Sequence, residues 1–449
     1  MKHQPKSLFT RSRDFITSTV AALLLLTANP TLASDAPSEE SLNDAYVYLL
    51  GGSLAVRQEH IDAAAEGFEY NTIHYNPMGS ADFVNPNFDV AYLEAWIAVD
   101  KDTPALLEVP KIDGRYYTAQ ILDQWGEVIA NINERTFPSK KYGTFALVAP
   151  GNTAPIPEGV GMIILHGKKA KLLGRVELRD DPEGAMALQK QFKLRSMGTP
   201  EITPPPPIPQ IDNQKLVDSR IFDHAEAIFA SAPDVYPLAA QMQQQVHAIA
   251  SYVAVSDEAR ASIDQRLKNT VIPDFLVYAI TQSVPYKNHW LVANQGGNYG
   301  PDFRGRTSVN LLGIWANVPT EAIYFIASRD SAEKPLDGSK SYVMHFPADA
   351  LPQAQVNAYW SVILVGVPDY KVVLNPLNRY NFNTYSGLKP EADGSLKIAI
   401  GPKPVDGVPE SNWLPSAEGK PFTLTFRSYL PKASVINEKW QPPAVTPFH

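Results

Sequence analysis

Cysteine is absent from all 449 residues. Disulfides, thiolate nucleophiles, iron–sulfur clusters and every cysteine-bearing zinc site are excluded together, which leaves oxygen and imidazole groups to carry any chemistry. Clustered positive charge is missing too. The formal net charge is −8 and no basic stripe occurs, so nucleic acid is not an expected partner. Familiar catalytic signatures are also lacking: there is no G-x-S-x-G elbow, no Walker loop, no H-E-x-x-H and no G-x-G-x-x-G after a strand. No organic cofactor motif remains, and Gly296-Gly297-Asn298-Tyr299-Gly300 reads as a flexible loop. The histidines never pair at metal-ligand spacing. The turn Asn85-Pro86-Asn87-Phe88-Asp89 offers oxygens of the kind a hard divalent cation takes, although Asx turns use the same residues more cheaply.

Long apolar runs are confined to one place. Val20 to Leu26 follows Lys2, Lys6, Arg11 and Arg13 and precedes Thr31-Leu32-Ala33, the order of a secretory signal and too short for a bilayer span. Residues 1–33 are expected to be removed, giving a periplasmic or secreted protein that begins at Ser34 and has no membrane span. The remaining composition is that of a globular chain, 44% hydrophobic and 19% charged. Proline is plentiful at 39 residues and scattered, which implies many short elements and rigid turns.

Hydrophobic period divides the chain. Residues 34–68 show helical spacing, read as two short helices interrupted by Gly51-Gly52. From 69 to 179, β-branched and aromatic runs recur about every ten residues, as in an antiparallel sandwich. Residues 180–319 turn helical, with a start at Asp180-Asp181-Pro182-Glu183, a polyproline connector from Thr203 to Pro209, and helices over 213–230, 238–251 and 257–282. A second β region fills 320–449, with Phe422, Leu424 and Phe426 alternating against Thr423, Thr425 and Arg427. The expected fold is mainly β with a helical insert: two antiparallel sandwich or jelly-roll-like modules joined by a helical region.

Several of these runs resemble a known family. Asn85-Pro86-Asn87-Phe88-Asp89-Val90-Ala91-Tyr92 and Gly114-Arg115-Tyr116-Tyr117-Thr118-Ala119-Gln120-Ile121-Leu122-Asp123-Gln124-Trp125 are similar to the domain of unknown function 1254. Leu336 to Phe346, Asn375-Pro376-Leu377-Asn378-Arg379-Tyr380, Asp393-Gly394-Ser395-Leu396 and Asn412-Trp413-Leu414-Pro415 resemble the domain of unknown function 1214. The block Asn378 to Phe382 departs from the family's serine-bearing form. The resemblance implies two β-sandwich units joined by helices and brings no settled reaction.

Candidate site residues come from the polar positions of these runs. Asp123 beside Trp125 suits a carboxylate next to an indole, and His345 brings an imidazole, the usual proton-transfer group, onto its strand, so these two are the acid–base candidates. Asn87, Asp89, Arg115, Tyr117, Asn375, Asn378 and Arg379 are candidate substrate-binding groups, with Arg379 suited to an anion and Trp125 and Trp413 to stacking. The best-fitting activity is a hydrolase or lyase acting on a small polar or amphiphilic molecule in a cleft between the β modules. The alternatives are a carbohydrate or small-ligand binding protein, or an envelope assembly protein that self-associates as a homo-oligomer.

Overall fold

The computed structural model describes residues 36–78, 86–213 and 215–448. The expected export segment and Asn85 lie outside them. The first element is a single helix, Glu39–Ala63, capped by the Ser38 hydroxyl, which accepts from Ser41 N at 3.1 Å, and favoured by Glu39 and Glu40 in its first turn. Gly51 and Gly52 do not break it. A Cβ at Gly51 would stand 2.5 Å from Thr307 Oγ1, and one at Gly52 2.7 Å from the Trp125 ring, so these glycines admit close neighbours instead of marking a turn. Tyr46 to Leu50 are all fully buried, because helices cover this one from several sides.

Those helices are Ala225–Ser231, Ala239–Val253, Asp257–Arg266, Ile272–Thr281 and Phe303–Leu312. The run expected as one helix over 257–282 is interrupted by a wide turn, Leu267–Val271, directly before the helix that carries Pro273. Proline cannot donate to the preceding ladder, and the widened turn absorbs the missing bond.

The first β module is a sandwich. One sheet orders the strands His74–Tyr75, Val90–Ala98, Lys169–Glu177, Tyr117–Leu122 and Val128–Ile132, and the other orders Gly161–Ile164, Gly143–Val148, Ala105–Val109 and Lys193–Ser196. Leu93, Ile97, Leu107, Ile121, Leu147 and Leu172 fill the space between them. The last strand lies beyond the helix Pro182–Gln189, because Phe192 is fully buried and Lys193 to Ser196 ladder onto Ala105–Val109. The module thus reaches residue 196.

The second module repeats the plan. Its six-stranded sheet runs Tyr286–Lys287, Trp290–Ala293, Ala322–Ala327, Phe422–Tyr429, Trp360–Gly366 and Asn381–Asn383, against a four-stranded sheet of Trp413–Pro415, Leu396–Gly401, Tyr342–Phe346 and Thr446–Pro447. Trp290, Phe325, Met344, Val362, Ile398 and Phe426 form its core. Two of these strands begin before residue 320. The protein is an α+β chain of two mainly antiparallel β modules with helices.

What positions the candidate site is the outer face of the five-stranded sheet. Along Lys169–Glu177, Ala170, Leu172, Gly174 and Val176 alternate with Lys169, Lys171, Leu173, Arg175 and Glu177, so the face away from the apolar core is charged. It is nevertheless buried. The first helix covers one end, where Glu59 meets Lys169 at 2.6 Å and Asp62 meets Lys171 at 2.7 Å. The six-stranded sheet of the second module covers the other end, where Arg175 lies.

Candidate functional site

The second module presents a polar face of its own. Cross-strand register aligns Tyr324 with Arg427, Arg427 with Ser361, and Ser361 with Asn383, so these side chains form one row across the sheet. Opposite them stand Tyr92, Arg175, Tyr116 and Gln120 of the first module. The two faces join through direct bonds: Asn381 and Asn383 donate to Asp89 Oδ1 at 3.0 and 2.9 Å, and Tyr116 OH donates to Glu321 Oε2 at 3.0 Å. Tyr116, Tyr359 and Tyr429 pack within this layer, the last two stacked with centroids 4.4 Å apart.

Arg175 is the unusual member. It is only 3% exposed, its Nη1 donates to the neutral amide oxygen of Gln120 at 2.7 Å, and its Nε has no partner. No carboxylate among the described residues bonds it. A buried guanidinium is normally paired, because desolvation of a charge is costly. Burial opposes its charge, yet the phenols around it, Tyr92 first and then Tyr324, Tyr429 and Tyr116, prevail and hold its pKa above the usual arginine value. The Tyr92 ring lies under the guanidinium at 5.4 Å.

Hydrogen-bond directions show what these groups offer. Asn87 Oδ1 accepts from Asp89 N at 2.9 Å, which fixes the amide so that its Nδ2 donates to Tyr429 OH at 2.8 Å and to Tyr92 OH at 3.3 Å. Both phenols act as acceptors there, and their own hydrogens have no acceptor among the described residues. Burial pushes the Tyr429 pKa well above its usual value, so that phenol stays protonated. Two nearby carboxylates are already engaged, Glu321 accepting from Arg135 and Tyr116 and Glu177 from Tyr116 N and Tyr385 OH, whereas Asp89 Oδ2 has no hydrogen-bond partner. Burial, the largest influence, raises the Asp89 carboxyl against opposing bonds from Asn383 and Asn381 and the charge of Arg427. Around Arg175 the site therefore has the Arg175 Nε and two phenol hydrogens to spare against one spare carboxylate oxygen, Asp89 Oδ2, a surplus of donors that suits an anion. Among the described residues no three His, Asp or Glu side chains gather as a metal-binding group.

Of the residues singled out from sequence, Asn87 and Asp89 stand in this junction. The strand after Arg115 turns Tyr116, Thr118 and Gln120 toward it, not Tyr117. Arg115 instead holds Asp181 at 2.7 Å at the start of the helix Pro182–Gln189, and Tyr117 OH donates to the Lys141 carbonyl at 2.6 Å. Trp125 is buried among the helices, stacked on Tyr48 at 5.1 Å and donating Nε1 to Ala232 O. In the second module, Asn375 braces its own loop, Asn378 accepts from Tyr380 OH, and Arg379 Nη1 donates to the carbonyls of Glu410 and Trp413, each at 2.8 Å. Trp413 Nε1 donates to Gly401 O. These groups fasten a loop to the strand Trp413–Pro415, and one arm of the Arg379 guanidinium is thereby engaged by backbone.

Asp123 and His345 are not brought together. His345 is exposed on Tyr342–Phe346, opposite Lys397 in the second module, whereas Asp123 is bonded to a different imidazole, His166 Nδ1, at 2.7 Å. That hydrogen bond, more than any other influence, raises the His166 pKa against desolvation. A raised folded-state pKa stabilises the fold fully below the unfolded value of about 6.5, and the contribution is lost as pH rises through the folded value. His166→Gln is thus expected to lower stability by about 1–2 kcal/mol at pH 5.5 and by much less at pH 9. Urea titrations at the two pH values check this, and equal losses would refute it.

A surface depression of about 520 Å³ is lined by Glu108, Val109, Thr144, Lys190 and Lys193 among others. It is open, its charged rim of Lys190 and Lys193 is exposed, and it shares no residue with the junction. The junction's buried, unpaired groups are the stronger indication of a ligand.

Among the described residues no helix is long and apolar enough to cross a membrane. Comparison with known proteins adds the following. Over 92% of its length the chain is similar in fold to all of the VPA0106 protein from Vibrio parahaemolyticus, known from a crystal structure, with a TM-score of 0.66 and 22% identity. A putative uncharacterized protein from Burkholderia cenocepacia matches at a TM-score of 0.43 and 12% identity, over 90% of this chain and 87% of that one. No curated protein matches in sequence. Residues 70–196 match the family described as Protein of unknown function (DUF1254), and residues 321–433 match Protein of unknown function (DUF1214). Both family segments fall on the β modules that meet at Arg175, and the chain belongs to the family of proteins that pair these two domains.

Proposed function

We propose that the protein binds a small anion-bearing molecule at the junction of its two β modules, with Arg175 as the charged anchor and the hydroxyls of Tyr92 and Tyr429 as further donors. The observation that carries this reading is the burial of Arg175 with an unpartnered Nε and no carboxylate bonded to it. An entering carboxylate or sulfate would supply the missing acceptor and meet aromatic rings on either side. The gathered groups are mostly donors and aromatic faces, with Asp89 the one carboxylate that keeps a spare oxygen and no imidazole among them, which favours holding a ligand over transferring protons. The secretory pattern of residues 1–33 supports placing this binding outside the cytoplasm.

The test uses benzoate and sulfate as probes against chloride at matched ionic strength. Either probe is expected to raise the thermal midpoint of the wild-type protein, since a ligand that binds only the folded state stabilises it. Arg175→Met should weaken the response about ten- to a hundredfold in affinity, the loss of a charge-assisted hydrogen bond worth roughly 1.5–3 kcal/mol. An equal response in wild type and Arg175→Met, or none in wild type, would overturn the proposal.

A further inference from the structure

A second constellation forms at the turn after the strand Tyr117–Leu122, from residues other than those at the junction. Asp123 N donates to Glu127 O at 2.9 Å, and its Oδ1 accepts from Trp125 N at 2.8 Å and Glu127 N at 3.0 Å. One carboxylate oxygen is thus fixed by the turn. The other faces His166 Nδ1 at 2.7 Å. Because a carboxylate only accepts, Nδ1 carries the hydrogen and the lone pair of the neutral ring sits on Nε2. No described residue bonds Nε2. Asp123 is 2% exposed and His166 27%, so the orienting acid is dry and the imidazole reaches solvent.

The ring's backbone is held from both sides. Leu165 N donates to Val148 O and Val99 N to Lys168 O, both at 2.9 Å, while a Cβ at Gly167 would stand 2.9 Å from Pro233 Cδ. The charges that face it come from three segments. Asp123 and Glu127 lie on the turn, and Asp234 lies on the loop before the helix Ala239–Val253. Arg306, on the helix Phe303–Leu312, pairs with Asp234 at 2.8 Å and approaches Glu127 at 3.5 Å. Lys168 is exposed two positions along. Three carboxylates against one buried guanidinium leave the surroundings negative, which strengthens the imidazole as a base and repels anionic reactants.

We propose that His166 Nε2 is a general base for the hydrolysis of small neutral or cationic esters, with Asp123 as its positioning residue. Nε2 takes a proton from a water molecule as the water oxygen adds to the ester carbonyl. The tetrahedral adduct collapses, the alkoxide or phenolate leaves, the carboxylic acid is released, and the imidazolium passes its proton to the leaving oxygen or to solvent. The substrate charge distinguishes this site from the anion-binding junction.

The experiment measures hydrolysis of p-nitrophenyl acetate by the full chain, beside 4-acetoxybenzoate, an aryl ester that carries a carboxylate. Wild type should exceed an equal concentration of free imidazole, with a rate that rises with pH through one ionisation above about 6.5 and is slower in D2O. His166→Gln should lower it about a hundredfold or more. Asp123→Asn should move the midpoint to lower pH and lower the plateau, a change that loss of packing alone would not produce. The enhancement over imidazole should be at least about tenfold smaller for 4-acetoxybenzoate, given like-charge repulsion. A rate unchanged in His166→Gln, no excess over imidazole, or no preference between the esters would overturn the proposal. If a variant fails to fold, the wild-type pH–rate profile and solvent isotope effect decide, and a flat profile overturns it.

Discussion

Glu59→Ala is expected to destabilise the protein by about 3–5 kcal/mol, because it strands a buried ammonium. Glu59 is fully buried on the first helix, where Oε1 accepts from Lys169 Nζ at 2.6 Å and from Tyr70 OH at 2.5 Å while Oε2 accepts from Gln124 Nε2 at 3.1 Å. Lys169 is 5% exposed and has the Tyr70 ring at 5.6 Å as its other close neighbour. Removing the carboxylate leaves the cation with a ring face and no anion, and the cavity admits too few donors and acceptors to restore hydration. The double variant Glu59→Leu with Lys169→Met should recover most of the loss, since an apolar pair of similar volume avoids desolvating two charges. Urea unfolding of the two single variants and the double variant gives the coupling directly. A loss below about 1 kcal/mol in Glu59→Ala, the range of exposed pairs, would show that the helix does not seal this face.

The same buried charges explain which parts of the fold were legible. The strand Phe422–Tyr429 is legible, since Phe422, Leu424 and Phe426 give it one plainly apolar face. Lys169–Glu177 is not legible: Lys169, Lys171, Arg175 and Glu177, broken only by Leu173, resemble a solvated face, and only the covering helix and second module make them interior. Gly51-Gly52 read as a break because local propensity registers the missing side chains and not the Thr307 hydroxyl and Trp125 ring that need the space. At the junction, Asn87 and Asp89 stood out as an Asn/Asp-rich strand entry. Tyr116 and Gln120 lie on the strand face opposite Arg115 and Tyr117, and nothing local in the sequence marks them. Tyr324 and Tyr429 reach Arg175 from the other module, a pairing with no local signal. His166 was one lone histidine among several, and its partner Asp123 is 43 positions away. The period-two alternation of charge in residues 169–177 was the one available clue to a sheet covered on both sides.

Arg306 carries the second large effect, and Arg306→Met is expected to lower stability by at least about 3–5 kcal/mol. The guanidinium is buried, with Nη1 and Nη2 donating to the two oxygens of Asp234 at 2.8 Å each, and Glu127 Oε1 lies 3.5 Å away. Trp125 faces it at 5.0 Å and Tyr236 at 5.6 Å. Its loss leaves two carboxylates of low exposure without a cation, one on the turn of the first module and one on the helical region. Arg306→Lys should not restore stability, because a single ammonium cannot make the paired bonds to Asp234 while lying flat against the indole. Asp234→Asn should be milder, since an amide oxygen in the place of Oδ1 can still accept from Tyr236 N and from Arg306 Nη1. The consequence is local as well as global: the helices Glu39–Ala63 and Phe303–Leu312 meet around Trp125, so Arg306→Met should loosen both ahead of the β modules. Hydrogen exchange would register this as faster exchange at Tyr46 to Leu50 and Thr307 to Leu311 with little change in Phe422–Tyr429. Uniform acceleration across the chain, or Arg306→Lys as stable as wild type, would refute the claim that this paired fork joins the helices to the first β module.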